Sequence, residues 1–367
     1  MIRLATIGTS RITGDLIEAA ASVEGVSFTG ALSRDEGRAR SFTLEYGGSL
    51  PFTSLEGLAA SGGVDAVYIA SPNALHAEQA LACIAGGKHV LVEKPFASNR
   101  AEAARVFAAA REAGVVAMEG MRPVHDPAYN VIRGALPELG RIRRATLRFG
   151  KYSSRYDDIR AGRRTNIFDC AMASGSLMDI GVYCVEPMVD LFGAPAGVSA
   201  TAVALDRETR GLTNGAIDGA GVLVCAYGRD PRRPEMVATL HHSKISADLS
   251  PCQVEGELGT LTFEGASAPT RARLDLRAPA PRDGAKGYLG TRTEARELEL
   301  PSCGSTMVYE LADFASMVEQ ARAGTPPEDA ANGDGAALSH FEGLTLEALA
   351  IMDEARRQCG IRFPADE

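Results

Sequence analysis

The sequence predicts an α/β protein in which an N-terminal, doubly wound parallel sheet is followed by an α+β domain with a large, mostly antiparallel, open-faced sheet. Three observations lead to this class. The chain has 367 residues, which fits two domains of ordinary size. Short apolar runs alternate with amphipathic helical stretches over the first third, whereas runs with a period of two dominate after about Met121. We therefore expect one domain over residues 1–122 and a second over residues 123–367.

The strands of the first domain are predicted from short, β-branched apolar runs that are bounded by turn residues. They cover residues 2–7, 26–32, 64–70, 89–92 and 115–118. Helices fill the intervals, and two of them carry terminal signals. Ser98 is the predicted N-cap of the helix that contains Glu102, and Gly47 and Gly48 stop the helix over residues 36–46. This order of elements predicts right-handed connections between parallel strands.

The second domain is predicted from the change of pattern that follows. A short helix over 127–135, a long strand over 142–152 and an arginine-rich loop precede a helix over 176–191. Further strands with alternating polarity are predicted at residues 198–205, 221–227, 236–245, 253–263, 272–277 and 295–300. These runs predict the large sheet.

The C-terminal part of the chain predicts two helices, over residues 308–323 and 336–358. The second is long enough to pack back onto the first domain. Residues 282–292 and 325–335 are rich in Gly, Pro and charged residues, which indicates surface loops.

Charge and composition limit the classes of partner. The formal net charge is −9, and phosphate binding requires a basic patch, so we expect neither nucleic acid nor membrane as a partner. The first residues run directly into a predicted strand, and no apolar run approaches the roughly 20 residues of a membrane span. Seven scattered cysteines form neither a disulfide framework nor a zinc pattern, and His241 and His242 lack a third ligand. We expect a cytoplasmic protein with a small-molecule partner and no metal.

A candidate phosphate-binding turn directly follows the first predicted strand. Its sequence is Gly8-Thr9-Ser10-Arg11-Ile12, at the start of a helical stretch. Gly8 allows a tight turn, Ser10 is small enough for backbone N–H groups to approach a pyrophosphate, and the helix N-terminus adds partial positive charge. This is the position of the dinucleotide-binding turn in a Rossmann domain. Because two of the three glycines of that motif are missing, an ordinary strand-to-helix turn is the alternative.

The residues after the second predicted strand bear on the choice between NAD and NADP. An NAD enzyme places an acidic residue there to hold the ribose 2′-hydroxyl. This chain has Ser33, Arg34 and Arg38 instead, whose hydroxyl and guanidinium groups can hold a 2′-phosphate. The pattern favours NADP over NAD. The alternative is that both arginines are solvated charges paired with Asp35 and Glu36.

Polar residues also end two further strands at the carboxyl edge of the sheet, where ligands bind in open α/β folds. One strand ends in Glu93-Lys94-Pro95, and Pro95 biases Lys94 toward an extended backbone that directs its side chain. The preceding strand ends in Ser71-Pro72-Asn73, with His76 in the next helical turn. We expect these residues, from Ser71 to His76 and at Glu93 and Lys94, to lie at the cofactor, although packing explains His76 equally well.

Together these segments resemble the Gfo/Idh/MocA oxidoreductases, the family of glucose-fructose oxidoreductase and inositol dehydrogenase. The similar segments are the Gly8 turn, Ser71-Pro72-Asn73-x-x-His76, Gly87-Lys88-His89-Val90, Glu93-Lys94-Pro95, residues 175–183 and Gly256-x-x-Gly259-Thr260-Leu261. Tyr183, followed by Cys184, is most similar to the dihydrodiol and xylose dehydrogenase branch. The chain departs from the family at Ser10, where a glycine is usual, and around residues 121–127, where aromatic residues are common.

The resemblance implies a reacting centre formed by Lys94, Asp179 and Tyr183. Asp179 and Tyr183 are four residues apart, so in a helix they share one face. We expect Asp179 to bind substrate hydroxyls and Tyr183 to transfer a proton, with Lys94 lowering the pKa of Tyr183 and stabilising a developing alkoxide. Lys94 is the alternative proton carrier. Arg122 and Asn166 are further candidates, with Arg122 beside the cofactor.

For Asp179, the alternative to a catalytic role is that its carboxylate stabilises the first turn of its own helix.

The activity that the resemblance implies is hydride transfer between NAD(P) and a secondary alcohol or carbonyl of a sugar, cyclitol or dihydrodiol. Other functions compatible with the sequence are a catalytically inactive NAD(P)-binding regulatory protein and a reductase of a conjugated C=C or C=N bond. The polar loop over residues 152–164 is a candidate substrate entrance. Because few helices remain to cover the large sheet, we expect a homodimer or homotetramer that buries its free face.

Overall fold

The computed structural model describes residues 1–205, 211–228, 235–277 and 293–367. Its first sheet is parallel and has the strand order β2-β1-β3-β4-β5. The strands are β1 (Ile2–Ile7), β2 (Val26–Leu32), β3 (Ala66–Ile69), β4 (His89–Glu93) and β5 (Ala117–Gly120). β1 and β2 have the predicted bounds, whereas β5 begins two residues later than predicted. The doubly wound parallel sheet is therefore confirmed.

The helices of this part follow the strands in alternation. They are α1 (Arg11–Ala20), α2 (Glu36–Glu45), α3 (Leu55–Ala59), α4 (His76–Ala85) and α5 (Arg100–Ala113). The predicted cap of α5 was wrong by one residue. Asn99 is the N-cap and accepts a hydrogen bond from the Glu102 N–H at 2.9 Å, while the Glu102 carboxylate accepts one from the Ser98 N–H at 3.0 Å. An Asn side chain offers the same acceptor as Ser at this position, so the cap forms one residue later.

The second sheet has eight strands in the order β13-β12-β11-β10-β6-β9-β8-β7. Its strands are β6 (Ile142–Gly150), β7 (Gly197–Ala204), β8 (Asp218–Ala226), β9 (Val237–Ser243), β10 (Cys252–Gly256), β11 (Gly259–Glu264), β12 (Arg271–Arg277) and β13 (Thr293–Leu298). Only the central pair of β6 and β9 is parallel among these neighbours, so the prediction of a mostly antiparallel sheet is confirmed.

One predicted strand of this sheet is two strands. The run over residues 253–263 folds into a hairpin, in which β10 pairs with β11 in antiparallel register, for example Val254 with Leu261. The turn falls at Glu257 and Leu258, between Gly256 at the end of β10 and Gly259 at the start of β11. The alternation of polar and apolar residues continues across this short turn, which is why the pattern alone did not reveal it.

The remaining helices are α6 (Arg122–His125), α7 (Pro127–Ala135), α8 (Ser154–Arg160), α9 (Val182–Phe192), α10 (Met307–Arg322) and α11 (Leu338–Gln358). α7 has its predicted bounds. The predicted helix over residues 176–191 begins instead with a π-helical turn, Leu177–Gly181, before α9. The predicted loop over residues 282–292 lies outside the described residues.

Helix α11 packs against the first sheet and its helices, as predicted. The Thr345 hydroxyl donates to the Glu119 carboxylate on β5 at 2.7 Å, and Arg111 of α5 forms an ion pair with Glu342 at 2.5 Å. Asp353 accepts a hydrogen bond from the Arg100 N–H at the start of α5 at 3.0 Å. The two halves of the chain are thus joined by polar contacts, of which the one between Thr345 and Glu119 is buried, and by one continuous apolar core.

The two faces of the eight-stranded sheet differ. The π-helical turn and α9 lie against one face, where His242 is buried and approaches Ser176 at 2.9 Å. Val203, Val224 and Val237 lie on the opposite face and are 49%, 41% and 41% exposed. Among the described residues, no helix is long and apolar enough to cross a membrane.

Candidate active site

The predicted phosphate turn lies at the carboxyl end of β1. Gly8 has a φ of +112°, and a Cβ there would lie 2.8 Å from the Ala70 carbonyl oxygen, so glycine is required. Helix α1 begins at Arg11, directly after this turn. The Ser10 side chain approaches Thr13 at 3.2 Å and does not cap the helix. The first backbone N–H groups of α1 therefore face the turn, where they can bind an anion.

A cavity of about 520 Å³ opens beside this turn. It is lined by seven of the residues predicted to hold the cofactor and by two residues from the second half of the chain. The lining includes Gly8, Thr9, Ser10, Ser33, Arg34, Ser71, Pro72, Asn166 and Met172. A dinucleotide fits these surroundings, because a glycine turn, a helix N-terminus and an arginine offer partners for its phosphates.

The predicted 2′-phosphate residues flank the end of β2. The Arg38 guanidinium donates to the Thr9 hydroxyl at 3.1 Å and to the Thr9 carbonyl at 2.5 Å, so it lies across the phosphate turn. Asp35 caps α2 by accepting a hydrogen bond from the backbone N–H of Arg38 at 2.7 Å. The Arg38 guanidinium makes its hydrogen bonds with the turn instead. Arg11, in contrast, is fully exposed and lies near Asp15, and Ile12 packs partly against the core.

Two residues predicted at the cofactor, His76 and Asn73, form hydrogen bonds with backbone carbonyl groups of the protein. His76 is buried, and its ring nitrogens approach the carbonyl oxygens of Pro95 at 2.9 Å and of Ser71 at 2.8 Å. Burial lowers the pKa of His76. The Asn73 amide donates to the Ala173 carbonyl at 2.9 Å, which ties the nucleotide side to the loop that carries Asn166. The hydrogen bonds of His76 and Asn73 therefore connect the chain segments that surround the cavity.

The three predicted catalytic side chains converge between the two halves. The Lys94 ammonium donates to the Asp179 carboxylate at 3.1 Å and to the Asp179 carbonyl at 2.7 Å. The Lys94 Nζ atom also lies 5.0 Å from the centre of the Tyr183 ring. Lys94 comes from the end of β4, Asp179 from the π-helical turn and Tyr183 from the first turn of α9. The fold therefore brings together an ammonium, a carboxylate and a phenol at the carboxyl edge of the parallel sheet.

Asp179 is positioned by the π-helical turn in which it lies. Gly175 precedes it with a φ of +109°, and a side chain at this position would collide with the Asp218 carboxylate. The buried Asp218 carboxylate accepts from the Leu177 N–H at 2.6 Å and so holds the start of the turn. Wide turns of this kind are common at functional sites because they redirect one or two side chains of a helix.

Tyr183 is held by a second cation. The Arg122 guanidinium donates to the Tyr183 hydroxyl at 3.0 Å, and its central carbon lies 5.5 Å from the ring centre. Phe149 packs edge-on against the same ring at 5.7 Å. The structure thus places Arg122, predicted beside the cofactor, at the Tyr183 phenol.

The protonation states differ from the sequence-based expectation. Burial raises the pKa of Tyr183 by more than the Lys94 and Arg122 cations lower it, so the phenol is neutral at neutral pH. Burial lowers the pKa of Lys94, but Asp179, Tyr183 and Glu93 together raise it further, so the amine stays charged. Burial would raise the pKa of Asp179, but Lys94 and Lys244 bring it down to about 2. Lys94 and Tyr183 both carry a proton in this state.

Buried acids behind the centre were not predicted. Glu119 on β5 accepts from the Phe96 N–H at 2.8 Å, two residues after Lys94, and shares a hydrogen bond with Glu186, one helical turn after Tyr183. Burial raises the pKa of Glu186 well above its usual value, and the adjacent Glu119 raises it further. Glu119 therefore links the strand turn of Lys94 to the helix of Tyr183. The sequence did not predict this contact, because Glu119 and Glu186 lie on separate elements and no motif links them.

Lys244 is a further site residue that the sequence analysis missed. Its ammonium donates to the second carboxylate oxygen of Asp179. The alternation of β9 offered a signal, because Lys244 has the same parity as the buried His242 and faces the same side of the sheet. His241 and His242 are adjacent on β9 and lie on opposite faces of the sheet. Within the part of the chain that the structure describes, no cluster of three metal-binding side chains occurs.

Comparison with known proteins gives the family. Residues 2–121 match the oxidoreductase family with an NAD-binding Rossmann fold, and residues 136–262 match the GFO/IDH/MocA C-terminal domain. The chain is 38% identical to scyllo-inositol 2-dehydrogenase (NADP(+)) of Bacillus subtilis (strain 168), and the match covers 100% of both chains. It is 28% identical to trans-1,2-dihydrobenzene-1,2-diol dehydrogenase of Mus musculus, over 91% of this chain and 89% of the relative.

A solved structure has the same fold. It is a 3-ketoreductase from Actinomadura kijaniata in complex with NADP and TDP-benzene, with a TM-score of 0.77 and 24% identity over 98% of both chains. The sequence matches and the shared fold lead to one conclusion. This chain belongs to the Gfo/Idh/MocA family of oxidoreductases.

Proposed function

We propose that this protein is an NADP-dependent oxidoreductase that transfers hydride between nicotinamide and a secondary alcohol or carbonyl of a sugar, cyclitol or dihydrodiol. The observation that carries the proposal is the convergence of Lys94, Asp179 and Tyr183 at the sheet edge that also holds the nucleotide cavity. The relatives named for scyllo-inositol and dihydrodiol oxidation support a polyhydroxylated substrate, because this chain aligns with nearly their whole length.

The cofactor is assigned to the cavity at the carboxyl ends of β1 and β2. Gly8, Thr9, Ser10 and the N-terminus of α1 would hold the pyrophosphate. Ser33, Arg34 and Arg38 would hold the 2′-phosphate, which favours NADP over NAD because an acidic residue is missing at the end of β2. When bound, NADP supplies the nicotinamide carbon that accepts or donates the hydride.

The side chains of the centre supply the proton chemistry. In the direction of reduction, the carbonyl oxygen of the substrate gains a proton as its carbon gains the hydride. The neutral Tyr183 phenol can donate that proton, and Arg122 and Lys94 then stabilise the phenolate. The Lys94 ammonium is the second group able to donate it, and Asp179 orients that ammonium and accepts from a substrate hydroxyl. Oxidation follows the same steps in reverse.

The substitution Tyr183→Phe tests this function. We expect turnover to fall at least a hundredfold, in line with the loss of a positioned acid–base group, while NADPH binding followed by fluorescence is unchanged. Tyr46→Phe is the matched control, because its ring packs on Phe28 and Phe42 beside α2. Full turnover by Tyr183→Phe would leave Lys94 as the proton donor. Binding without turnover by the unaltered protein, across sugars and polyols, would instead indicate a regulatory NADP-binding protein.

Three properties of the whole protein complete the proposal. The chain divides into a nucleotide-binding domain over residues 1–122 and a substrate-binding domain over residues 123–367. All seven cysteines lie in described residues as free thiols, which supports a reducing, cytoplasmic location. The exposed valines on the outer face of the large sheet support a homodimer or homotetramer formed through that face. Light scattering coupled to gel filtration would measure the oligomeric state directly.

A further inference from the structure

The Asp179 carboxylate is shared by two ammonium groups from opposite halves of the chain. Lys94 reaches one oxygen from the nucleotide side at 3.1 Å, and Lys244 reaches the other oxygen from the end of β9. The side chains of Lys94 and Lys244 are 12% and 10% exposed, whereas that of Asp179 is 21% exposed. The carboxylate is therefore the most accessible member of a nearly buried triad.

The backbone of Lys244 is fixed on both sides. Its N–H donates to the Gly219 carbonyl at 2.8 Å, and its carbonyl accepts from the Ser153 N–H at 2.9 Å. Ser153 caps α8, the helix within the predicted substrate-entrance loop. Lys244 thus connects the large sheet, the entrance loop and the catalytic carboxylate, and it has little freedom to leave this position.

Placing a second buried ammonium beside Lys94 is costly, because like charges repel and burial removes hydration. A structural lysine in this chain avoids that cost. Lys88 is also buried, and its ammonium donates to the neutral carbonyls of Ser61 at 2.7 Å and Val64 at 2.9 Å. Lys244 has the reacting centre as its ion-pair partner instead, which points to a role in the reaction.

We propose that Lys244 is a positioning residue of the catalytic centre, which fixes the Asp179 carboxylate so that its other oxygen aims the Lys94 ammonium at the reacting oxygen of the substrate. The inference rests on the proposed function, since it assigns a reacting oxygen to this cleft. Without Lys244, the carboxylate could rotate and pair with Lys94 through both oxygens, which would draw the ammonium away from the substrate.

The arrangement also holds Asp179 in its charged form. Burial alone would raise its pKa, and the two ammonium groups bring the pKa down to about 2. Lys94 and Lys244 face the carboxylate, Glu93 and Tyr183 face Lys94, and Arg122 faces Tyr183. Removal of Lys244 should raise the pKa of Asp179, so the carboxylate would take up a proton at a higher pH.

Lys244→Met and Lys244→Arg form the first test. We expect Lys244→Met to lower kcat about tenfold to a hundredfold, with the NADPH dissociation constant changed less than threefold, and to move the acid limb of the kcat/KM profile upward by about one pH unit. Lys244→Arg, which keeps the charge, should restore most of kcat and the original acid limb. Lys88→Met is the control for loss of a buried ammonium, and it should lower Tm while kcat and the acid limb stay unchanged.

The Asp179→Asn background tests whether Lys244 acts through Asp179. There Lys244→Met should cause less than a twofold further loss, because the group that it positions is already absent. An equal loss in both backgrounds would overturn the proposal and indicate direct contact with substrate or a general structural role. An unchanged kcat and acid limb in Lys244→Met would overturn it as well.

A readout without turnover separates this inference from the proposed function. In protein labelled with ¹³C-aspartate, the Asp179 carboxyl signal, assigned by its loss in Asp179→Asn, should stay constant down to about pH 3 in the unaltered protein and titrate about one pH unit higher in Lys244→Met. Identical titration in both proteins would contradict the coupling of Lys244 to Asp179. Lack of turnover by the unaltered protein would contradict the proposed function alone.

Discussion

At the scale of single residues, the central phenol is held by two cations that act in different ways. Arg122 donates directly to the Tyr183 hydroxyl at 3.0 Å, whereas Lys94 lies over the ring. Because Arg122 donates to the oxygen, the phenol proton is directed elsewhere and is available to the cleft. Burial of Tyr183 raises its pKa, and these cations limit the rise. The two cations therefore decide how readily the phenol gives up its proton.

Arg122→Met should make the phenol a weaker acid. Its loss removes a cation that lowers the pKa of Tyr183, so the pKa rises, and the pH at which alcohol oxidation reaches half its maximum should increase by about one unit. The measurement is the pH profile of kcat/KM, with Arg122→Lys as the charge-retaining comparison. An unshifted profile would identify Lys94 as the proton carrier.

Arg34→Ala should weaken the binding of NADPH more than the binding of NADH. A charge-assisted contact to a phosphate contributes about 1.5–3 kcal/mol, so we expect the NADPH dissociation constant to rise about tenfold to a hundredfold and that of NADH less than threefold. Fluorescence titration measures both constants. Arg40→Ala is the control, because Arg40 is exposed on α2 and lies 3.6 Å from Glu36. Equal losses for both cofactors would remove Arg34 from the 2′-phosphate site.

At the scale of elements, the position of the Asp179 carboxylate depends on the π-helical turn that precedes α9. The sequence predicted a regular helix over residues 176–191, and the structure has a π-helical turn over Leu177–Gly181. Asp218 on β8 holds that turn through the Leu177 N–H, and the contact joins positions 41 residues apart. Local helix propensity could not predict it, because the deciding interaction comes from another element.

Gly175→Ala should disturb this turn. Its φ of +109° is unfavourable for alanine, and the added methyl group meets the Asp218 carboxylate, so the free energy of unfolding should fall by about 1–3 kcal/mol. Gly343→Ala is the matched control within α11, where space is open, and it should raise that energy by about 0.5–1 kcal/mol. Urea unfolding measures both. A Gly175→Ala protein as stable as the control would show that the turn tolerates a side chain.

Elements with strong local signals were predictable from the sequence. β1 and β2 are β-branched runs between turn residues, and α7 begins at Pro127 directly after the capping residue Asp126. The hairpin of β10 and β11 was not predictable in this way, because its turn preserves the alternating pattern. Similarly, the Lys244 contact joins residues 65 apart, so it depends on the register of the whole sheet.

At the scale of the whole molecule, burial between the two halves controls several charges. The sequence suggested that Lys94 would lower the pKa of Tyr183, but burial of the phenol raises the pKa by more than Lys94 and Arg122 lower it. Burial also raises the pKa of Asp218 to about 6 and that of Glu342 to about 7. Sequence shows which groups meet at a motif but not how much water remains around them.

The stabilising contribution of Asp218 and Glu342 should therefore fall as pH rises from about 4 to 7. The folded-state pKa values of Asp218 and Glu342 lie above their unfolded values, so the folded protein binds more protons, and this stabilising contribution is complete below about pH 4 and lost through pH 6 to 7. Asp218→Asn should reduce the decline by about 3 kcal/mol at most, measured by urea unfolding at several pH values. A decline of equal size in this variant would contradict the assignment.

In the proposed mechanism, an ammonium from one half of the molecule and a carboxylate and phenol from the other half act on one substrate oxygen beside NADP. The most direct test is turnover of NADP⁺ with a panel of cyclitols, sugars and dihydrodiols by the unaltered protein and by Lys94→Ala, at cofactor concentrations that saturate both. We expect turnover by the unaltered protein and a loss of at least a hundredfold in Lys94→Ala, with cofactor affinity retained. Full turnover by Lys94→Ala would contradict this mechanism.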